Sequence, residues 1–233
     1  MRVINTERLP IKMWLNDIED GALEQAKALA NHPFAVKWIA IMPDSHQGYG
    51  MPIGGVLATR DVVIPNAVGV DIGCGMCVVK TDLTDLPIDD IKILMGKIRE
   101  EIPLGFNHQK EEQLWHGFGR APDIEIIQKE LSSAKKQLGT LGGGNHFIEI
   151  QKGSDGFIYI MIHSGSRNFG LKTATEYNKK AVELCERWKS DIPNKDLAFL
   201  PLDTKEGQEY MEAMKYCVDF AAENRNIMMA NIV

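Results

Sequence analysis

A carboxylate and a thiol stand three positions apart in a glycine-rich segment, Asp71-Ile72-Gly73-Cys74-Gly75. The glycines allow the backbone to fold tightly around a ligand. A carboxylate suits hard cations and a thiolate suits softer ones, so the pair fits Mn, Fe, Co or Zn better than Ca or Mg. The alternative is that Asp71 is a turn residue and Cys74 a small buried hydrophobe, and for the pair alone this is the preferred interpretation.

Two histidines lie beside further glycine-rich loops. The run LGTLGGGNHFIE, residues 138–149, places Asn145 and His146 at the start of a predicted strand, and MIHSGSR, residues 161–167, places His163 at a strand end and Arg167 four residues later. Successive glycines expose N–H groups that can bind phosphate oxygens, and an imidazole can bind a metal. Each histidine could instead be a packing residue, and Arg167 an ordinary ion-pair partner. Four candidate ligands on three such loops nevertheless predict a metal site.

Two other segments carry groups that could contact a substrate. Asp44 and His46 lie in one loop, where a turn residue and a structural histidine are the preferred interpretation over a hydrogen-bond donor to a metal ligand. Asn107–Lys110, followed by Trp115, offers stacking and basic groups suited to single-stranded nucleic acid, or else a solvated surface loop.

The elements that must position these residues are of both kinds. Between residues 36 and 80, β-branched apolar runs alternate with Gly, Pro and Asn breaks, which predicts short strands joined by tight loops. Ile148–Gln151 and Ile158–Ile162 predict a hairpin, because the residues between them favour turns. Apolar positions three and four apart predict helices over Asp17–Ala30, Pro87–Glu101, Pro122–Gln137, Leu171–Lys189 and Thr204–Ile232.

The composition is that of a packed, water-soluble protein, since 44% of the 233 residues are hydrophobic and 25% are charged. This excludes disorder and a collagen-like structure. The net charge of −6 disfavours unspecific coating of nucleic acid, although a metal and a few basic side chains can still make a local positive pocket. No apolar leader and no run of 18 apolar residues is found, so we expect a cytoplasmic protein whose four cysteines are reduced.

Three long blocks resemble the signature blocks of the RtcB family of RNA-splicing ligases, in the same order and spacing. They read IMPDSHQGYGMPIGGVLATRDVVIPNAVGVDIGCGM, LGTLGGGNHFIEI and MIHSGSRNFG. The resemblance extends through the rest of the chain. It implies an α+β fold with antiparallel sheets, glycine-rich loops at a central metal site and flanking helices, as a single domain over residues 1–233.

The resemblance also implies an activity, namely a GTP- and Mn²⁺-dependent ligase that acts in RNA splicing or repair. Such an enzyme joins RNA ending in a 2′,3′-cyclic phosphate or a 3′-phosphate to RNA with a 5′-hydroxyl. The positions that match the ligands of two Mn²⁺ ions are Asp71, Cys74, His146 and His163, and the thiolate is able to bridge the ions. The segment that matches the GTP contacts comprises Asn145, His146, Phe147, Ile148 and Glu149, and Arg167 matches a phosphate contact. Which RNA is joined, and whether an archease-like activator is needed, stay open.

The chain also departs from the family pattern. RtcB-like proteins are considerably longer, and their later part carries another metal-binding histidine and the histidine that becomes guanylylated. None of the six histidines present matches the guanylylated position, so we expect the N-terminal part of such a ligase, truncated at its C-terminus. Asn168-Phe169 replaces a small and an aliphatic residue, which calls local RNA or nucleotide contacts into question. The alternatives are a metal-dependent cyclic phosphodiesterase, which needs only the metal site and Arg167, and a non-catalytic metal- or RNA-binding fragment.

Overall fold

The computed structural model describes residues 1–233 and has an α+β architecture. The six α-helices are α1 (Asp20–Asn31), α2 (Pro65–Val68), α3 (Ile88–Glu101), α4 (Glu125–Gln137), α5 (Arg167–Trp188) and α6 (Lys205–Ile232). The nine strands are β1 (Arg2–Ile4), β2 (Ile11–Met13), β3 (Ile39–His46), β4 (Ile53–Val56), β5 (Val62–Val63), β6 (Gly75–Lys80), β7 (Phe147–Lys152), β8 (Ile158–Ser164) and β9 (Leu200–Pro201). None of the helices combines the length and the apolar character needed to cross a membrane.

The fold class and the five predicted helices are confirmed, and the helices correspond to α1 and α3 to α6. The largest difference at a boundary is in α5, which begins at Arg167 and not at Leu171, because the first turn contains Gly170 and gives no helical periodicity. Helix α2 was not predicted, since four residues are too few to show a period. Strands β1 and β2 have three residues each and were missed for the same reason.

The chain divides into two compact units, which we describe separately. The first unit comprises Met1–Val70 and Ala174–Met211, and the second unit comprises Asp71–Thr173 and Glu212–Val233. That the whole chain forms one domain stays a prediction.

The first unit contains a four-stranded sheet of order β1-β2-β3-β4. The β1–β2 and β3–β4 pairs are antiparallel and the β2–β3 pair is parallel. One face of helix α1 is buried, and so are apolar residues of β2 and β3. The buried residues are Ala22, Ala26, Leu29 and Ala30 on the helix, and Ile11, Met13, Ile39 and Ile41 on the strands. A second, small sheet pairs β5 with β9.

The second unit is built on the antiparallel sheet β6-β8-β7, in which β8 is central. Side chains alternate along β8, so Ile160 and Ile162 enter the core whereas His163 lies on the opposite face. The core of this unit contains Ile102, Leu141, Ile160, Ile162, Met228 and Met229. The predicted hairpin is β7–β8, and its loop closes through the Gly153 N–H, which donates to the Phe157 carbonyl oxygen at 2.8 Å.

Aromatic side chains fill the other part of this core. The Phe169 ring is fully buried against the rings of Tyr216 and Phe220, with centroids 5.8 and 5.2 Å away. The departure from the family pattern at Phe169 is therefore a core substitution. Trp115 packs 5.5 Å from the Tyr216 ring, so its indole contributes to packing, and a stacking role toward nucleic acid is not favoured.

A buried histidine makes the stability of the first unit depend on pH. His32 is fully buried, its Nε2 lies 3.1 Å from the Leu197 carbonyl oxygen, and its Nδ1 lies 3.4 Å from the Phe34 backbone nitrogen. A neutral ring that donates from Nε2 and accepts at Nδ1 satisfies both contacts. Burial lowers the pKa of His32, the Leu197 carbonyl opposes this shift, and the charge of Arg8 adds to it.

We expect this histidine to destabilise the protein in acid. Because the folded pKa lies below the unfolded value of about 6.5, the unfolded chain binds more protons below that pH. The contribution of the neutral ring is therefore complete above pH of about 6.5 and is lost as the pH falls through the folded pKa. Urea unfolding at several pH values should give a shallower pH dependence for His32→Gln, and an unchanged one for the exposed control His108→Gln. Equal slopes for wild type and His32→Gln would contradict the expectation.

Candidate metal centre

The turn that carries Asp71 and Cys74 lies immediately before β6. The Cys74 N–H donates to the Asp71 carbonyl oxygen at 3.0 Å, which closes the turn. Ile72 is fully buried and anchors the turn to the core, while the Asp71 Oδ1 accepts from the Ser166 N–H at 3.1 Å. The carboxylate is therefore held from two sides of the second unit.

Gly73 allows α6 to pack directly on this turn. Its φ is +76°, and a Cβ there would lie 2.9 Å from the Ala221 Cβ and 3.0 Å from the Val218 Cα. A side chain at this position would meet both a strained backbone and the helix. The glycine thus sets how closely the metal-ligand turn approaches α6.

The two histidines are brought to the same end of the sheet by antiparallel pairing. His146 directly precedes β7, and His163 is the last residue but one of β8. The Nδ1 of His146 lies 3.0 Å from the Leu141 carbonyl oxygen, and the Nδ1 of His163 lies 3.1 Å from the Asn145 carbonyl oxygen. A carbonyl can only accept, so each Nδ1 carries a proton, and Nε2 is the ring nitrogen that faces the cluster.

The four predicted ligands converge in the second unit. The Cys74 Sγ lies 3.0 Å from the His163 Nε2 and 3.6 Å from the His146 Nε2, and the His146 Nε2 lies 2.8 Å from the Asp71 Oδ2. The donor atoms of Asp71, Cys74 and His146 all lie within 4.8 Å of one another. Donors on one tetrahedral metal at about 2.0–2.3 Å are roughly 3.3–3.8 Å apart, so small side-chain rotations suffice to form a ligand set.

One contact in this cluster requires a positive centre. The Nε2 of His146 lies 2.8 Å from a carboxylate oxygen of Asp71, which can only accept. Without a proton on Nε2 or a metal ion between them, these two atoms would repel each other. The His146 side chain is 7% exposed and that of Asp71 31% exposed, so water screens this repulsion poorly.

The Asp71 carboxyl is ionised, whereas the Cys74 thiol is protonated. Burial raises the pKa of Asp71, but the hydrogen bond and charge of His146 lower it more in combination with Cys74 and Arg167, so this carboxyl is ionised. Burial and the neighbouring Asp71 carboxylate together raise the pKa of Cys74 to about 12, and Arg225 acts against both. The thiol therefore keeps its proton until a cation displaces it, and metal binding here must release a proton.

Arg167 hydrogen-bonds the glycine-rich loop and the segment at Gly105. Its Nε donates to the Thr140 Oγ1 at 3.1 Å and its Nη2 to the Gly105 carbonyl oxygen at 2.9 Å. A Cβ on Gly142, whose φ is +98°, would collide with this guanidinium. Burial lowers the pKa of Arg167 and the charge of Asp71 opposes this shift. The phosphate contact expected of Arg167 stays a prediction, and the contacts observed are structural.

The segment expected to contact GTP presents its side chains on two faces. Asn145 and Glu149 are exposed and Phe147 is half-buried, with its ring centroid 5.3 Å from that of His163. Ile148 packs instead against the apolar core. Of this segment, the side chains of Asn145, Phe147 and Glu149 are available to a ligand, and their role stays a prediction.

Two residues of the site were missed by the sequence analysis. Asn224 and Arg225 lie on α6, where Asn224 is fully buried and the Arg225 guanidinium hydrogen-bonds the turn at Gly73. The available signal was Asn224, a polar residue three positions after Ala221 and four before Met228, and so within the apolar stripe of the helix, where apolar packing alone does not need it.

The approach of α6 to the ligand turn predicts a selective effect of glycine substitution. Gly73→Ala combines the positive φ with a collision, whereas Gly144→Ala has a φ of +70° and no atom within 4 Å of the new Cβ. The control therefore measures the backbone cost alone, about 1–2 kcal/mol. We expect Gly73→Ala to lower the free energy of unfolding by a further 1–3 kcal/mol or so, by overpacking. Equal denaturation curves for the two variants would contradict this packing.

Comparison with known proteins agrees with this geometry. The family described as tRNA-splicing ligase RtcB matches residues 25–233. The RNA-splicing ligase RtcB of Escherichia coli K12 is 35% identical over 256 residues, which cover 99% of this chain and 62% of the relative. The tRNA-splicing ligase RtcB of Pyrobaculum aerophilum is 31% identical over 280 residues, covering 96% and 58%, and that of Thermococcus kodakarensis is 31% identical over 260 residues, covering 90% and 54%.

The chain thus spans between 54% and 62% of the length of these three relatives. The match of the family over nine-tenths of the chain includes every residue of the ligand cluster. This chain belongs to the tRNA-splicing ligase RtcB family.

Proposed function

We propose that this chain supplies the metal centre of a GTP- and Mn²⁺-dependent RNA ligase. The ligase joins RNA that ends in a 2′,3′-cyclic phosphate or a 3′-phosphate to RNA with a 5′-hydroxyl. The observation that carries the proposal is the convergence of Asp71, Cys74 and His146, whose ligand atoms all lie within 4.8 Å of one another, with the His163 Nε2 3.0 Å from the Cys74 Sγ. Such a donor set suits a divalent cation.

The donor set suits a first-row transition metal. One carboxylate, one thiolate and two imidazoles combine hard, soft and borderline ligands, a mixture that would hold Mn²⁺ or another first-row divalent metal. Zn²⁺ binds such ligands more tightly than Mn²⁺, so an ion that co-purifies does not identify the working one. Asp71, Cys74, His146 and His163 are the residues that hold the metal in this proposal.

Two bound cations would stabilise charge on the attacking and leaving oxygens of a phosphoryl or nucleotidyl transfer. The chain's own residues prepare the site for this. The carbonyls of Leu141 and Asn145 hold each imidazole in one tautomer. The Cys74 thiol would give up its proton to bind a cation, and Asp71, whose Oδ1 accepts from the Ser166 N–H, keeps Oδ2 toward the ligand cluster.

The substrate groups are proposed to bind beside the cations. Asn145 and Phe147 lie next to His163, and Glu149 follows two residues later on the same strand; these three side chains would contact GTP, while RNA ends are recognised by their phosphate chemistry. A net charge of −6 fits an enzyme that reads RNA ends and not long stretches of backbone, because its positive charge is concentrated at the metals.

The metal site is tested by removing single ligands. Cys74→Ala and His146→Ala should each reduce Mn²⁺ bound in equilibrium dialysis, by at least tenfold in affinity, because each removes a donor from a small set. His108→Ala, which changes an exposed histidine of the same unit, is the matched control. Wild-type Mn²⁺ affinity in both Cys74→Ala and His146→Ala would rule out the proposed metal site.

GTP binding and guanylylation are tested on the same protein. Retention of labelled GTP should require Mn²⁺ and should fall at least tenfold in Phe147→Ala, but not in Gln151→Ala on the same strand. The intact mass should stay at 26.0 kDa after incubation with GTP and Mn²⁺, since no histidine here matches the guanylylated position.

Two results would contradict parts of the proposal. A covalent GMP adduct on this chain would place the nucleophile within these 233 residues. Opening of a 2′,3′-cyclic phosphate with Mn²⁺ and without GTP would favour the cyclic phosphodiesterase.

A further inference from the structure

Helix α6 meets the candidate metal centre with two adjacent polar side chains. Asn224 is fully buried, and Arg225 is partly buried beside it. The neighbouring turns of the helix bury apolar residues such as Ala221 and Met228. Polar groups at these positions add nothing to apolar packing, so the reason for them must lie in what they hydrogen-bond.

Asn224 joins the glycine-rich loop to the end of β8. Its Oδ1 accepts from the N–H groups of Gly139 at 2.7 Å and Thr140 at 3.1 Å. Its Nδ2 has three acceptors within reach: the Thr140 carbonyl oxygen at 3.0 Å, the Ser164 Oγ at 3.2 Å and the Gly165 carbonyl oxygen at 3.3 Å. The amide therefore uses its full hydrogen-bonding capacity on two of the loops that carry metal ligands.

A chain of hydrogen bonds connects Asn224 to His146. The Nδ2 of Asn224 donates to the Ser164 Oγ, and the Ser164 hydroxyl donates to the Leu141 carbonyl oxygen at 2.8 Å. That carbonyl oxygen also accepts from the His146 Nδ1. The position of the Leu141 carbonyl fixes both the tautomer and the direction of the imidazole, and it is held by Ser164, which is held by Asn224.

Arg225 performs the corresponding task for the other ligands. Its Nη1 donates to the Gly73 carbonyl oxygen at 2.9 Å and to the Ser164 carbonyl oxygen at 2.8 Å. Gly73 lies between Asp71 and Cys74, and Ser164 directly follows His163. One guanidinium nitrogen thus hydrogen-bonds both the Asp71–Cys74 turn and the end of β8, which carries His163.

We infer that Asn224 and Arg225 are positioning residues of the metal centre, which together fix the three ligand-bearing loops relative to one another. The inference rests on the proposed metal site and adds to it two residues that contact no metal. Loss of groups that orient metal ligands typically reduces metal affinity about 10–100-fold. If these residues only satisfied buried backbone groups, their loss would change stability and leave the affinity of the folded protein unaltered.

The test compares Asn224→Ala, Ser164→Ala and Arg225→Met with the control Asn226→Ala, which removes an exposed asparagine from the same helix. Each full-length variant is titrated with Mn²⁺ under conditions where circular dichroism shows it to be folded. The absorption of the Co²⁺ form is recorded as well, because the thiolate-to-cobalt band and the ligand-field bands report the ligand geometry. Asp71→Ala serves as the reference for loss of a ligand.

We expect a loss of Mn²⁺ affinity of about tenfold or more in the three variants, with an altered Co²⁺ spectrum, and wild-type behaviour in Asn226→Ala. Arg225→Lys, which keeps a donor and the charge, should recover part of the affinity lost in Arg225→Met. If Asn224→Ala does not fold, Ser164→Ala and the Arg225 pair decide the question.

Two results would overturn the inference, and they differ. Wild-type affinity and spectrum in folded Ser164→Ala and Arg225→Met, with binding lost in Asp71→Ala, would leave the metal site intact and remove the positioning role. Wild-type affinity in Asp71→Ala would instead remove the proposed metal site and the inference with it.

Discussion

The second unit is organised around four polar side chains that converge at one end of its sheet. The His146 Nε2 lies within hydrogen-bonding distance of both the Asp71 carboxylate and the Cys74 sulphur, while the Nδ1 of His146 donates to the Leu141 carbonyl on the other side of the ring. Burying such groups together is costly unless each has a hydrogen-bond partner or a bound cation. The surrounding fold holds these side chains in place through the Ser166 N–H, which donates to Asp71, and through the Leu141 and Asn145 carbonyls, which accept from the two histidines.

The sheet and helix α6 share this task. Antiparallel pairing of β7 with β8 brings His146 and His163 to one end, and pairing of β6 with β8 brings the Asp71–Cys74 turn beside them. The alternation along β8 directs Ile162 into the core and His163 to the other face, so that packing orients the ligand. Gly73 then lets α6 approach closely enough for its polar side chains to reach the loops.

Local sequence patterns were sufficient for the longer helices, for the β7–β8 hairpin and for the choice of candidate ligands. Helical periodicity predicted α1 and α3 to α6, and turn residues predicted the β7–β8 hairpin. Three-residue strands and the four-residue helix α2 are too short to show a period. Asn224 was missed because its partners lie 59 to 85 positions away along the chain, and nothing local indicates which polar residue of a helix will be buried. That Asp71, Cys74, His146 and His163 bind metal stays a prediction, although the structure brings them together.

The central claim is that these four side chains form one metal centre. Anomalous X-ray scattering, measured at the manganese absorption edge on crystals of this chain grown with Mn²⁺, locates the bound ion directly. The account predicts an anomalous peak within bonding distance of the Cys74 Sγ and the Asp71 carboxylate, with the Nε2 atoms of the two histidines turned toward it. Ordered Mn²⁺ bound elsewhere, or a cluster that stays free of metal at saturating Mn²⁺, would contradict it.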